Sequence, residues 1–257
     1  MSYGLRGRTA TALVGTAALV LTVYTSSGQA AQGRGGAPGA PPLSPWAAAP
    51  IDLTGYWVSV VNEDWRWRMV TPPKGDYASV PLNPEGSKQA DTWQPTMDGQ
   101  CEAYGAAALM RIPTRVHITW ENDNTLKVET DAGQQTRRMK FSPGPAPAER
   151  SLQGHSAAEW ERPVGVPRGP VIPGGTLKAT TTMLRPGWLR KNGVPYSEDA
   201  QVTEYYDRFQ APNGDEWLVV TTIVHDPKYL TQDFVTSSHF KREADGAKWS
   251  PSPCKTA

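Results

Sequence analysis

From Thr54 to Lys241 the chain repeats one pattern: short runs of alternating apolar and polar residues, separated by clusters of Gly, Asn, Asp and Pro. Two-residue alternation puts successive side chains on opposite faces of an extended strand, so each run reads as a strand with one buried face. The runs are Thr54–Val61, Trp65–Val70, Thr114–Trp120, Thr125–Thr130, Gln135–Phe141, Thr176–Leu184, Gln201–Phe209, Glu216–Val224 and Asp233–Lys241. Between them stand "ENDN" at 121–124, "DAG" at 131–133, "APNGD" at 211–215 and "HDPKYLTQ" at 225–232. Gly and Asn tolerate the positive φ of tight hairpin turns, and connections this short join antiparallel neighbours. The expected fold is mostly β, a single antiparallel meander of about eight to ten strands closing into a barrel with short helices added. A β-sandwich or jelly roll would satisfy the same alternation.

Two stretches interrupt the meander. Asn83–Trp93 and Cys101–Met110 read as short helices, the first with Asn83 as cap and Pro84 at its first position. The Pro- and Gly-rich excursion from Pro143 to Gly175 contains only "SAAEW" as an ordered piece, and a disordered loop or flexible lid is expected there.

The N-terminus reads as targeting. Arg6 and Arg8 precede an apolar run from Thr11 to Tyr24, and small residues converge on Gly28-Gln29-Ala30, so residues 1–30 resemble a cleavable signal peptide. The run is short for a membrane span, which needs roughly 20 apolar residues, although an uncleaved anchor is the alternative. Residues 31–50 carry mostly Ala, Gly and Pro and read as a disordered linker, leaving 51–257 as the barrel domain. Export to the periplasm or beyond is thus expected, with no membrane contact after cleavage. Net charge is +1, from 26 basic and 25 acidic residues, which argues against nucleic acid as a partner. Cys101 and Cys254 are the only cysteines, and an even number in an oxidising compartment points to one disulfide.

The string "LTGYWVSVV" at 53–61 resembles the G-x-W signature that opens the first strand of lipocalins and their calycin relatives, with Gly55 and Trp57 in the motif positions. That resemblance implies a calycin-like barrel in which Trp57 packs across one end. Lys241 or Arg242, in "HFKRE", would cover the ring as the cation. It also implies a disulfide tying the C-terminal tail to the barrel wall, which Cys101–Cys254 would supply. The usual C-terminal helix is not evident after Glu243. Strings similar to "DLTGYWVSVVNEDWRWRMVTPPKGDY" and "NGDEWLVVTTIV" also occur in a group of exported bacterial proteins, a resemblance that carries no activity with it.

Ten Trp in 257 residues exceed the needs of an ordinary core and suit a pocket for flat or sugar-like molecules. As a strand, Trp65–Val70 would put Trp65 and Trp67 on one face and Arg66 and Arg68 on the other. Either arginine could clamp a carboxylate or phosphate, while a core stripe with solvated arginines is the plainer reading. Arg115 and His117 share one face of their strand, with Trp120 on the other, and Trp217 joins the ligand-wall candidates. Glu204 with Tyr206, and Ser237 with His239, form further same-face pairs. His117, Tyr206, Glu204 and His239 are the candidate acid/base groups. No histidine or cysteine stands at metal-ligand spacing, and there is no P-loop, dinucleotide fingerprint or G-x-S-x-G elbow, so no metal or cofactor is expected. The reading is a periplasmic binding protein for a small apolar or aromatic ligand in a Trp/Tyr-lined barrel cavity. The alternative is a cofactor-free lyase, hydratase or isomerase on the same scaffold, using His117 with Tyr206 and a carboxylate.

Overall fold

A computed structural model describes residues 42–163 and 174–256. The expected signal peptide, the linker as far as residue 41 and positions 164–173 of the excursion lie outside them. In chain order the strands are β1 (Gly55–Val60), β2 (Arg115–Asn122), β3 (Thr125–Thr130), β4 (Ala132–Gly133), β5 (Thr136–Lys140), β6 (His155–Glu161) and β7 (Thr176–Thr182). There follow β8 (Gly187–Arg190), β9 (Val194–Tyr196), β10 (Gln201–Gln210), β11 (Glu216–His225), β12 (Phe234–Glu243) and β13 (Ser252–Pro253). Nine of them close a barrel in the order β1-β12-β11-β10-β7-β6-β5-β3-β2.

The alternation read from the sequence decides which side chains enter the barrel. β12 buries Phe234, Thr236, Ser238 and Phe240 and turns Val235, Ser237, His239 and Lys241 outward. One pairing departs from an all-antiparallel meander: β5 and β6 run parallel, with Met139 opposite Ser156 and Lys140 opposite Ala157. The chain leaves β5 at one end and re-enters at the end where β5 began. The "SAAEW" piece thereby becomes a wall strand, so His155–Glu161 of the expected loop or lid is part of the sheet.

Two local readings are corrected as well. Trp65–Val70 is not a strand; Trp65–Arg68 form a single helical turn, α1. Asp64 sits in the left-handed region at φ 51°, which turns the chain out of the extended path. Cys101–Met110 is not one helix but two 3-10 turns, Cys101–Tyr104 and Leu109–Arg111. The other expected helix forms as α2 (Pro84–Ala90), where Asn83 Oδ1 accepts from the Gly86 amide at 2.8 Å.

Both ends of the barrel are covered. At the first end Trp57 is fully buried, its indole N–H donates to Leu53 O at 3.0 Å, and the Arg242 guanidinium lies 5.4 Å from the ring centroid. Gly55 adopts φ 116°, and a Cβ there would stand 3.2 Å from Arg242 Nη2, so this position suits glycine on two counts. Trp120, Phe141 and Trp160 cluster at the same end, with centroids 5.3–6.5 Å apart. There the chain is held before residue 51: Trp160 donates to Pro45 O at 2.9 Å, and the Trp46 amide donates to Asp123 O at 3.1 Å.

The opposite end carries a cap built from the β1–β2 connection and the β8–β9 hairpin. Val80, Ala106, Leu189, Val194 and Tyr196 pack there on Val202, Val224 and Phe234 of the rim. Met110 belongs instead to the barrel's own core, with Met139, Leu177, Tyr206 and Phe240. Cys101 in the cap is disulfide-bonded to Cys254 in the tail, with the Cα atoms 5.0 Å apart. No described helix is long and apolar enough to cross a membrane.

Candidate anion-binding site

The side chains buried inside the barrel include a charged pair. Arg137 on β5 and Glu204 on β10 are wholly buried and meet through two contacts, at 2.9 and 2.6 Å. Arg137 also donates to Thr181 Oγ1 at 3.2 Å, and the Tyr206 hydroxyl donates to Glu204 at 3.3 Å. Burial, then Glu204, pushes the Tyr206 phenol well above its ordinary value, so it stays a donor. Burial opposes the charge on Arg137, but Glu204 and Tyr206 outweigh it and raise the guanidinium further.

A second arginine group lies in the cap and is not fully paired. Arg68, Arg111 and Arg190 are 3%, 5% and 4% exposed. Arg68 at the end of α1 pairs with Glu63 and donates its Nε to Arg111 O at 2.7 Å. Arg111 Nη2 meets Asp64 at 3.0 Å, and its guanidinium lies 5.5 Å from the Phe234 ring on the rim. Arg190, at the end of β8, has no hydrogen-bond partner on Nε, Nη1 or Nη2 among the described residues. The Trp67 ring lies 4.9 Å from its guanidinium carbon, and the charges of Asp64 and Asp76 act on it without a hydrogen bond among the described residues. One further nitrogen on Arg68 and one on Arg111 are buried without a partner among the described residues.

The nearby carboxylates are already engaged. Asp76 accepts from Trp67 Nε1 at 3.1 Å and from Arg66 at 2.8 Å, contacts that hold its carboxyl below the usual range. Glu63 also meets His239 Nδ1 at 3.1 Å. Glu63 and Asp64 thus answer Arg68 and Arg111, and Arg190 is left over. Burial, and after it Arg111, brings Arg190 down to about 10; Arg68 falls to about 10 for the same reasons. Both stay charged at neutral pH. An ion buried without a partner costs several kcal/mol, and a cation–π contact returns only about 0.5–2 kcal/mol. The arrangement can therefore receive an oxyanion, which would take the free N–H groups in bidentate fashion.

The residues singled out from the sequence divide among several environments. Arg68 and Trp67 belong to this group; Trp65 is 64% exposed on the other side of α1, and Arg66 pairs with Asp76 on the surface. Arg115 lies on the outer wall with Glu243 at 2.8 Å. His117, also outside, stacks on Tyr56 at 4.0 Å and lies 3.6 Å from Glu129; burial lowers its pKa. Trp217 pairs across the outer wall with Phe209 and Lys241. Trp120 points inward at the far end, and Glu204 and Tyr206 face the interior. The wall separates His117 from Tyr206, so the acid/base set of the lyase reading does not converge. His239 is outside too, where it supports Glu63.

Sequence reasoning missed Arg111 and Arg190. Arg111 closes the apolar run "AAALM", a place where a charge has to be buried or exposed on purpose, and that signal was available. "GWLRKNG" offers none for Arg190. Comparisons with protein-family models, with curated proteins and with solved structures found no match.

Proposed function

We propose that this chain is an exported, calycin-like binding protein that holds a small organic oxyanion at the capped end of its barrel. Arg190, nine-tenths buried with every guanidinium nitrogen unpartnered among the described residues, is the observation that carries the reading. Arg68 and Arg111 supply further free N–H groups, and Trp67 supplies an aromatic face, so the preferred ligand joins a carboxylate or phosphate to an apolar body. In this reading the cap takes the role first expected of a barrel cavity. Support for the calycin relation comes from Gly55, Trp57 and Arg242 at the opposite end, and support for export from the disulfide. Trp67 covers Arg190, so ligand entry accompanies a shift of the α1 turn.

The test is thermal unfolding of the full chain with benzoate, phenyl phosphate and inorganic phosphate, each matched in ionic strength with chloride, beside neutral benzamide. A ligand at 100 times its Kd stabilises by about 2.7 kcal/mol. The reading expects such a rise for at least one aromatic oxyanion and none for benzamide. Equal responses to oxyanions, chloride and benzamide would overturn it.

A further inference from the structure

A cleft of about 330 Å³ opens in the cap between the β8–β9 hairpin and the chain around residues 97–102. That volume lies at the lower end of the range for small-molecule sites. Its walls include Trp188, Pro195, Tyr229 and Met97, with Gln89 and Gln100 among the polar lining groups. Two buried oxygens in it have no hydrogen-bond partner among the described residues: the Tyr196 hydroxyl and Glu102 Oε2. Tyr196 lines the cleft while fully buried, its hydroxyl packed where a Cβ on Gly187 or Gly105 would come within 2.5 or 2.0 Å of it. The other Glu102 oxygen faces Arg185 Nη2 at 3.8 Å, which supplies a counter-charge.

These groups differ in kind from the arginine site. One is a donor, one an acceptor, the charge is already answered, and the walls are aromatic. We infer that this cleft binds a neutral saccharide ring, one hydroxyl of which accepts from Tyr196 and donates to Glu102 while an apolar face lies against Trp188. A hydroxyl accepts from the phenol and donates to the carboxylate with one atom, whereas an ammonium would leave the phenol proton without an acceptor and add a second cation beside Arg185. Burial lifts the Tyr196 phenol above its ordinary value and keeps it protonated as the donor. Amphipathic sugar rings suit aromatic walls with few polar groups, because their C–H faces are apolar and their edges polar. The inference does not depend on the anion reading.

The experiment is titration of the full chain with glucose, N-acetylglucosamine, maltose and cellobiose, followed by calorimetry and tryptophan fluorescence. Spermidine serves as the cationic control. Saturable binding of at least one saccharide is expected. Tyr196→Phe should weaken it roughly 3- to 10-fold, the worth of one neutral hydrogen bond. It should leave thermal unfolding unchanged or raised, because the hydroxyl has no hydrogen-bond partner among the described residues. Trp188→Ala, made separately and checked for cooperative unfolding, should weaken binding about tenfold or more. No saturable response at millimolar saccharide, binding of spermidine alone, or saccharide binding indifferent to both variants would each overturn the inference.

Discussion

Arg137 and Glu204 permit a prediction whose size follows from their burial. Both side chains have no exposure and meet through two contacts inside the barrel. Arg137→Met would leave the Glu204 carboxylate in the core with only the Tyr206 hydroxyl, 3.3 Å away. Glu204→Leu would leave a guanidinium there, one whose Nε already lacks a partner among the described residues. Each single change therefore strands a charge and should cost about 3–5 kcal/mol. The double variant removes both charges, keeps similar apolar volume and should lose less than either single one, because replacing a buried pair outright is often neutral. Urea unfolding followed by tryptophan fluorescence measures this, provided the denaturant slope is unchanged across the set. Single losses below about 1 kcal/mol, or a double loss equal to the sum of the singles, would refute the idea that burial makes the partners interdependent.

Three further outcomes are expected. Non-reducing peptide mapping should recover a Cys101–Cys254 pair; the bond closes a separation of 153 residues, worth roughly 5 kcal/mol in the chain-entropy model, and two alkylatable thiols would contradict it. Trp57→Ala should cost about 3–5 kcal/mol in urea unfolding, as large core truncations do, and Arg242→Met less, about 0.5–2 kcal/mol for a cation–π contact. His117 has a folded pKa below the ordinary 6.5 because burial disfavours its charge, so the unfolded chain binds the proton first. Its contribution is whole above that ordinary value and declines as pH falls below it. NMR titration of the imidazole should find the depressed midpoint, and His117→Gln should flatten that part of the pH–stability curve.

The barrel was legible because its signal is local: alternation along β10, β11 and β12 names the inward residues, and Asn-Gly at 213–214 marks a hairpin. Gly55 and Trp57 were legible as a motif, but which of Lys241 and Arg242 covers the ring depends on strand phase: Arg242 faces Trp57, while Lys241 turns outward to Asp215. The parallel β5–β6 pair was hidden, since its partners are joined through a Pro-rich stretch that reads as loop. Trp65–Arg68 misled because alternation over so few residues cannot distinguish a strand from one helical turn, and a left-handed Asp64 decided it. The arginine group was half legible: Arg68 stood out as a possible clamp, yet whether an arginine is solvated or buried depends on which distant segment covers it. For Arg190 that cover is Trp67, more than a hundred positions earlier in the chain.

The central claim is that Arg190 serves to bind an oxyanion, and Arg190→Met tests it directly. Urea unfolding of the wild type and the variant should be compared in low-salt buffer without oxyanion and again with phenyl phosphate. The account predicts that the variant is at least as stable as the wild type in the first buffer, since losing the Trp67 contact, about 0.5–2 kcal/mol, is outweighed by relief of an unpaired buried charge worth several. In the second buffer only the wild type should gain stability. A variant several kcal/mol less stable without ligand, as expected of an arginine that holds the cap together, or one that keeps the full phenyl phosphate response, would contradict the claim.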